Sequence, residues 1–90
     1  MSEVLKPASA GTMESSDVYV EIEPGNGQLE IHLESVVKTQ FGAAIEAAVR
    51  SVLQEQNITD ACVRVTDRGA LDCVIRARVE TAIARGKGEN

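Results

Sequence analysis

Two adjacent serines near the amino end are the residues best suited to covalent chemistry. Ser15 and Ser16 lie in the polar segment AGTMESSD at 10–17, just before the first alternating stretch of the chain. A serine in an exposed linker is open to a modifying enzyme, and a phosphodiester on its hydroxyl would be a stable tether. Two serines are also ordinary components of a polar loop, so the residues alone leave both interpretations open.

The other candidates for catalysis do not form a convergent set. His32 is the only histidine, and the alternation of its segment places it on the same outward face as Glu30 and Glu34. A triad of Ser15, His32 and Asp17 would need a rigid site that excludes water, and nothing in their spacing orients them. We therefore expect no catalytic residues.

Metal and nucleotide chemistry have no signature in the sequence. Cys62 and Cys73 lack both the CxxC spacing and the companions of a zinc site, so we expect no metal and two ordinary thiols. No phosphate loop or dinucleotide fingerprint is present. Arg68 and Gly69, in a loop before a predicted helix, offer a guanidinium and backbone amides to an anionic group, which stays an alternative.

Length and charge restrict the class of protein. The 90 residues suffice for one compact domain, and with one Phe, one Tyr and no Trp the core must consist of aliphatic side chains. A net charge of -5 disfavours broad attraction to nucleic acid or anionic lipid, so basic partners are expected. No stretch has the apolar length of a membrane span or signal peptide, which predicts a cytoplasmic protein.

Hydrophobic periodicity predicts the elements that position the serines. Two alternating segments flank the turn residues PGNG at 24–27, which predicts a hairpin with one polar face. After the second segment, the apolar residues follow helical spacing, then strand spacing, then helical spacing again. The predicted elements are strands at 18–23 and 29–34, a helix from Val37 to Leu53, a strand at 60–66 and a helix at 71–83.

These elements predict an α+β fold. We expect a small two-layer domain with a three-stranded sheet and two helices on one face, in the order ββαβα. Residues 1–13 have no sustained periodicity and are expected to form a mobile N-terminal arm. Residues 14–85 would then be the single folded domain, and residues 86–90 a flexible C-terminal tail.

Three blocks of the sequence resemble the acyl carrier protein family of citrate lyase, also called its gamma chain. The blocks are AGTMESSD at 10–17, ESVVKTQFGAAI at 34–45 and GALDCVIRARVE at 69–80. The third block is distinctive in order and spacing, and the resemblance extends over most of the chain. By contrast, fatty-acid carriers are helical bundles with a DSL serine motif at a helix start, and this sequence has neither feature in the expected place.

The resemblance implies a non-catalytic acyl-carrier domain. In the family, the serine after the glutamate carries 2'-(5''-phosphoribosyl)-3'-dephospho-coenzyme A through a phosphodiester. That serine is Ser15 here, and the adjacent Ser16 stays a second possible acceptor. The group is implied to hold acetyl and citryl units as thioesters. The implied partners are an alpha subunit that transfers the acyl group, a beta subunit that cleaves the citryl thioester, and the enzyme that attaches the cofactor.

Two other functions stay open. One is the carrier subunit of malonate decarboxylase, which uses a similar prosthetic group, although the block GALDCVIRARVE favours citrate lyase. The other is an unmodified interaction domain that binds a partner through its acidic strand face. A carrier requires its serine, whereas an interaction domain would retain its function without it.

Overall fold

The described part of the chain folds into one mixed four-stranded sheet and two helices. The computed structural model describes residues 4–35 and 38–88, except that the side chains of 38–41 are not described. The sheet order is β1-β2-β4-β3, in which β4 pairs antiparallel with β2 and parallel with β3. The elements are β1 Ala8–Gly11, β2 Val18–Pro24, β3 Leu29–Ser35, α1 Lys38–Glu55, β4 Ala61–Asp67 and α2 Asp72–Gly86.

Alternation along the strands creates one apolar face, and both helices pack on it. On β2 the side chains of Val18, Val20 and Ile22 are buried, and on β4 those of Val63 and Val65. Helix α2 contacts β1 and β2, α1 contacts β3, and the two helices contact each other. Burying each such aliphatic side chain contributes about 1.5–3 kcal/mol relative to exposure. Among the described residues, the buried layer is aliphatic.

The expectation of a three-stranded sheet is wrong, because the described residues include a fourth strand. This strand, β1, lies within residues 1–13, and it pairs antiparallel with β2. Its four residues, Ala-Ser-Ala-Gly, have low strand propensity, so the strand exists through its pairing. Val4 is buried just before it. The mobility of residues 1–13 and 86–90 stays a prediction, and 1–3 and 89–90 lie outside the described residues.

The predicted hairpin of β2 and β3 is also wrong, because β4 lies between these two strands. Alternation determines which side chains share a face, but it does not identify the neighbouring strand. The segment PGNG therefore begins a connection across the end of β4, where the Gly27 amide donates a 3.0 Å hydrogen bond to Asp60 Oδ1. The order is βββαβα instead of ββαβα. Val37, where the first helix was predicted to begin, lies outside the described residues.

Candidate attachment site

Ser15 and Ser16 lie in the connection between β1 and β2, residues 12–17, called the serine loop below. The Thr12 amide donates to the Val18 carbonyl oxygen at 3.2 Å, which closes the hairpin. The Asp17 amide donates to the Glu14 carbonyl oxygen at 3.1 Å. This second bond makes Ser15 and Ser16 the two central residues of a tight turn.

The two serines differ in their local environment, although both are exposed. The Ser15 hydroxyl has no hydrogen-bond partner among residues 4–35 and 38–88. Ser16 adopts a left-handed backbone with φ 66°, and its amide donates to the Arg68 carbonyl oxygen at 2.8 Å. The backbone of Ser16 therefore anchors the turn, whereas the Ser15 side chain is free to react.

The Asp17 carboxylate organises the serine loop. It accepts hydrogen bonds from Thr12 Oγ1 at 2.7 Å and from the Val18 amide at 2.7 Å. Arg78 of α2 adds two more, from Nη2 at 2.9 Å and Nε at 3.2 Å. The Thr12 hydroxyl, the Arg78 guanidinium and the Val18 amide lower the pKa of Asp17 from 3.8 to about 2. The carboxylate is thus ionised at neutral pH and ties the loop to α2.

The connection between β4 and α2 supports the loop from the other side. The Arg68 amide donates to the Asp17 carbonyl oxygen at 2.9 Å, which complements the bond from Ser16 to Arg68. Next to it, the buried Asp67 carboxylate accepts from the amides of Gly69 and Ala70 at 3.2 and 3.0 Å. Since a buried carboxylate needs such partners, this connection has a defined shape. It gives the serine loop a rigid base.

The structure does not assemble the triad considered from the sequence. His32 lies on β3, and its Nε2 is 3.2 Å from Glu30 Oε1 on the outer face of the sheet. Two strands, β2 and β4, separate β3 from β1, which leads into the serine loop. Asp17 is held by Arg78 instead. The arrangement around Ser15 suits attachment of a group rather than nucleophilic catalysis.

Sequence reasoning missed the pairing that holds the loop. Asp17 and Arg78 are 61 positions apart, and no local pattern joins them. Arg78 does lie in the distinctive block GALDCVIRARVE, and this position is the one feature of the sequence that could have drawn attention to it. Arg68, considered for an anionic group, lies against the serine loop with an exposed side chain.

An exposed serine hydroxyl on a supported loop fits a covalently attached group. A phosphodiester at Ser15 would displace no hydrogen bond between described residues, and the turn bonds involve the backbone on either side of it. Within the described residues, no helix is both long enough and apolar enough to cross a membrane. The fold and the loop together present an exposed serine on a small α+β domain.

Comparison with known proteins identifies the family. The model of the acyl carrier protein family described as malonate decarboxylase delta subunit (MdcD) matches residues 5–86. The chain therefore belongs to this family of acyl carrier proteins, which confirms the carrier class predicted from the sequence.

The curated relatives are citrate lyase acyl carrier proteins. That of Vibrio cholerae serotype O1 is 52% identical over 83 residues, covering 91% of this chain and 85% of its own length. That of Haemophilus influenzae is 52% identical over 86 residues, covering 96% and 90%. That of Albidiferax ferrireducens is 47% identical over 87 residues, covering 96% and 89%. The resemblance to the citrate lyase carriers is confirmed.

A solved structure shares the fold. The match is a chain in the crystal structure of a Pseudomonas malonate decarboxylase hetero-tetramer in complex with malonate, with a TM-score of 0.76. It covers 92% of this chain and 90% of that chain at 24% sequence identity. At this identity the likeness establishes the fold alone.

Proposed function

We propose that this chain is the acyl carrier subunit of citrate lyase and that it performs no catalysis itself. The observation that carries the proposal is 47–52% identity to proteins named citrate lyase acyl carrier protein, over 85–90% of their length. Sequence similarity over nearly the whole of both chains indicates a shared role in addition to a shared fold, which alone would not imply a function.

Ser15 is the proposed attachment residue. Its support is the position after Glu14, the exposed side chain, and a hydroxyl without a partner among the described residues. Ser16 is the alternative acceptor, since it is exposed as well. Its left-handed backbone and its amide bond to Arg68 instead suit a structural role in the turn.

The proposed prosthetic group is 2'-(5''-phosphoribosyl)-3'-dephospho-coenzyme A. When attached, the group supplies a thiol on which acetyl or citryl units are held as thioesters. The contribution of this chain is mechanical: the pairing of Asp17 with Arg78 and the bonds to Arg68 fix the loop on the domain. A fixed base and a tether keep a bound acyl unit at a high effective concentration near partner active sites.

The proposed partners are the alpha and beta subunits of citrate lyase and the enzyme that attaches the cofactor, in the cytoplasm. The outer face of the sheet carries Glu21, Glu23, Glu30 and Glu34. Together with a net charge of -5, these side chains favour basic partner surfaces. Association through exposed charges of this kind weakens as the salt concentration rises.

Intact-mass measurement tests the proposal directly. The full chain is isolated from citrate-grown cells of its native host, alongside Ser15→Ala and the matched control Ser16→Gly, which retains the backbone preference of the turn. We expect one adduct on the wild type and on Ser16→Gly, and none on Ser15→Ala, which should also abolish citrate cleavage by the complex. An adduct retained on Ser15→Ala would assign the attachment to another residue. A wild-type protein without an adduct, with unimpaired citrate turnover in Ser15→Ala, would refute the carrier function.

The delta subunit of malonate decarboxylase is the second candidate, favoured by the description of the matching family. Assays of the purified complex distinguish the two, because one predicts citrate cleavage and the other malonate decarboxylation. An unmodified interaction domain, the third possibility, predicts full function in Ser15→Ala.

A further inference from the structure

Three potential metal ligands meet on the outer face of the sheet. In the parallel pairing of β3 with β4, Glu30 lies directly beside Cys62, and His32 is the next residue on the same face. A carboxylate oxygen, an imidazole nitrogen and the thiol sulfur all lie within 4.8 Å of one another. His32 Nε2 is already 3.2 Å from Glu30 Oε1.

We propose that Glu30, His32 and Cys62 form a binding site for a divalent metal ion of the zinc class. Thiolate, imidazole and carboxylate are all zinc ligands, at about 2.0–2.3 Å from the metal. Tetrahedral geometry at those lengths separates ligand atoms by about 3.5 Å, so modest side-chain rotations close the present cluster. This combination of soft and borderline donors selects zinc-like ions over calcium or magnesium.

The neighbouring residues determine the charge around the site. Glu23 of β2 lies opposite Cys62 in the register, and water can occupy the fourth position of a tetrahedral ion. Arg64, beside His32, is the cation on this part of the described face. It lies opposite Glu21 of β2, and the surrounding carboxylates leave a local field that attracts a cation.

Accessibility also favours binding. The side chains of His32 and Glu30 are 58% and 51% exposed, so a metal ion can reach them and they can reorient at little cost. Cys62 is half-buried on the central strand β4 and supplies a fixed donor. A bound ion would link the edge strand β3 to β4, and binding to the folded state alone raises its apparent stability.

The experiment uses the reduced full chain made without attachment enzymes, so that no prosthetic thiol competes for the metal. Co²⁺ is titrated and followed by the thiolate charge-transfer absorbance and the visible bands of tetrahedral cobalt, and Zn²⁺ is then added to displace it. We expect saturation at one ion per chain, loss of the thiolate band in Cys62→Ser, and at least about tenfold weaker binding in His32→Gln, about 1.4 kcal/mol. Cys73→Ser is the matched control, because Cys73 is the other free cysteine, exposed on α2, and should bind as the wild type does.

A second measurement separates binding from misfolding of the variants. Zn²⁺ should slow alkylation of Cys62, but not of Cys73, in the wild-type chain, and at the same concentration it should raise the melting temperature of the wild type more than that of His32→Gln. His32 is exposed, so without metal this variant should melt as the wild type does. The site is refuted if Co²⁺ gives no saturable thiolate band, or if Cys73→Ser abolishes that band while Cys62→Ser retains it.

Discussion

Gly11, the last residue of β1 and the neighbour of the serine loop, is a position where a single added methyl group should strongly destabilise the hairpin. It has φ +94°, and a Cβ there would overlap the Val18 carbonyl oxygen, the acceptor of the Thr12 amide. The nearest atom belongs to the backbone, so the strand itself would have to move to make room for the methyl group. Such a movement breaks the bond that closes the hairpin.

Two costs determine how much stability Gly11→Ala should lose. Alanine in the left-handed region costs about 1–2 kcal/mol, and loss of the hairpin bond adds about 0.5–1.5 kcal/mol. Gly27→Ala is the matched control, because Gly27 has φ +89° with nothing within 4 Å of the added Cβ. We expect Gly11→Ala to lose about 1 kcal/mol more than Gly27→Ala, which is about 4–8 °C in melting temperature for a domain of this size.

Thermal denaturation by circular dichroism measures the stability difference, and the rate of prosthetic-group attachment reports on the loop. Attachment to Gly11→Ala should be slower than to the wild type because the hairpin that carries Ser15 loses the Thr12–Val18 bond that closes it, whereas Gly27→Ala should be modified at the wild-type rate. If Gly11→Ala melts at or above the temperature of Gly27→Ala, the close approach of Gly11 to Val18 does not govern the hairpin, and this reasoning fails.

Two further predictions concern the charges around the serine loop. Because the pKa of Asp17 is lowered from 3.8 to about 2 in the folded state, its contribution to stability is complete above about pH 4 and is lost as the pH falls towards 2. Urea denaturation should therefore show a steeper loss of the free energy of unfolding for the wild type than for Asp17→Asn across this interval, and parallel curves would contradict the hydrogen bonds from Thr12, Arg78 and the Val18 amide that lower this pKa. Arg68→Gln should slow attachment of the anionic prosthetic group up to about fivefold at low salt, since an exposed charge contributes about 0.2–1 kcal/mol. Arg64→Gln, on the outer sheet face, is its control, and equal effects of the two would remove the special role of Arg68.

The sequence predicted the faces of the elements better than their neighbours. Alternation from Val18 to Glu23 correctly indicated a strand with one buried face, because burial against a helix layer demands that period. Strand pairing is a long-range property, so a turn-rich segment such as PGNG was compatible with a hairpin and with a connection across β4. Strand β1 was not predicted because Ala8 and Ala10 are small residues without a strong apolar pattern. They are buried or partly buried only because β1 pairs with β2.

The same limit applies to the site. Ser15 is proposed as the attachment residue through resemblance to a family, since a polar turn alone does not distinguish an attachment residue from an ordinary loop. The ionic support from Arg78 depends on how α2 packs beside the β1–β2 hairpin. The proximity of Glu30 to Cys62 could likewise be predicted only with β4 placed beside β3, whereas the expected hairpin placed β2 there.

The way in which the serine loop is held explains why a carrier can be built on so small a domain. A tether gains effective concentration only if its base stays in a defined place relative to the surface that partners recognise. Asp17 supplies that constraint twice, through its side chain to Arg78 on α2 and through its carbonyl oxygen to the Arg68 amide. Because both contacts leave the Ser15 hydroxyl without a partner among the described residues, the fold can fix the loop firmly while leaving the proposed attachment atom accessible.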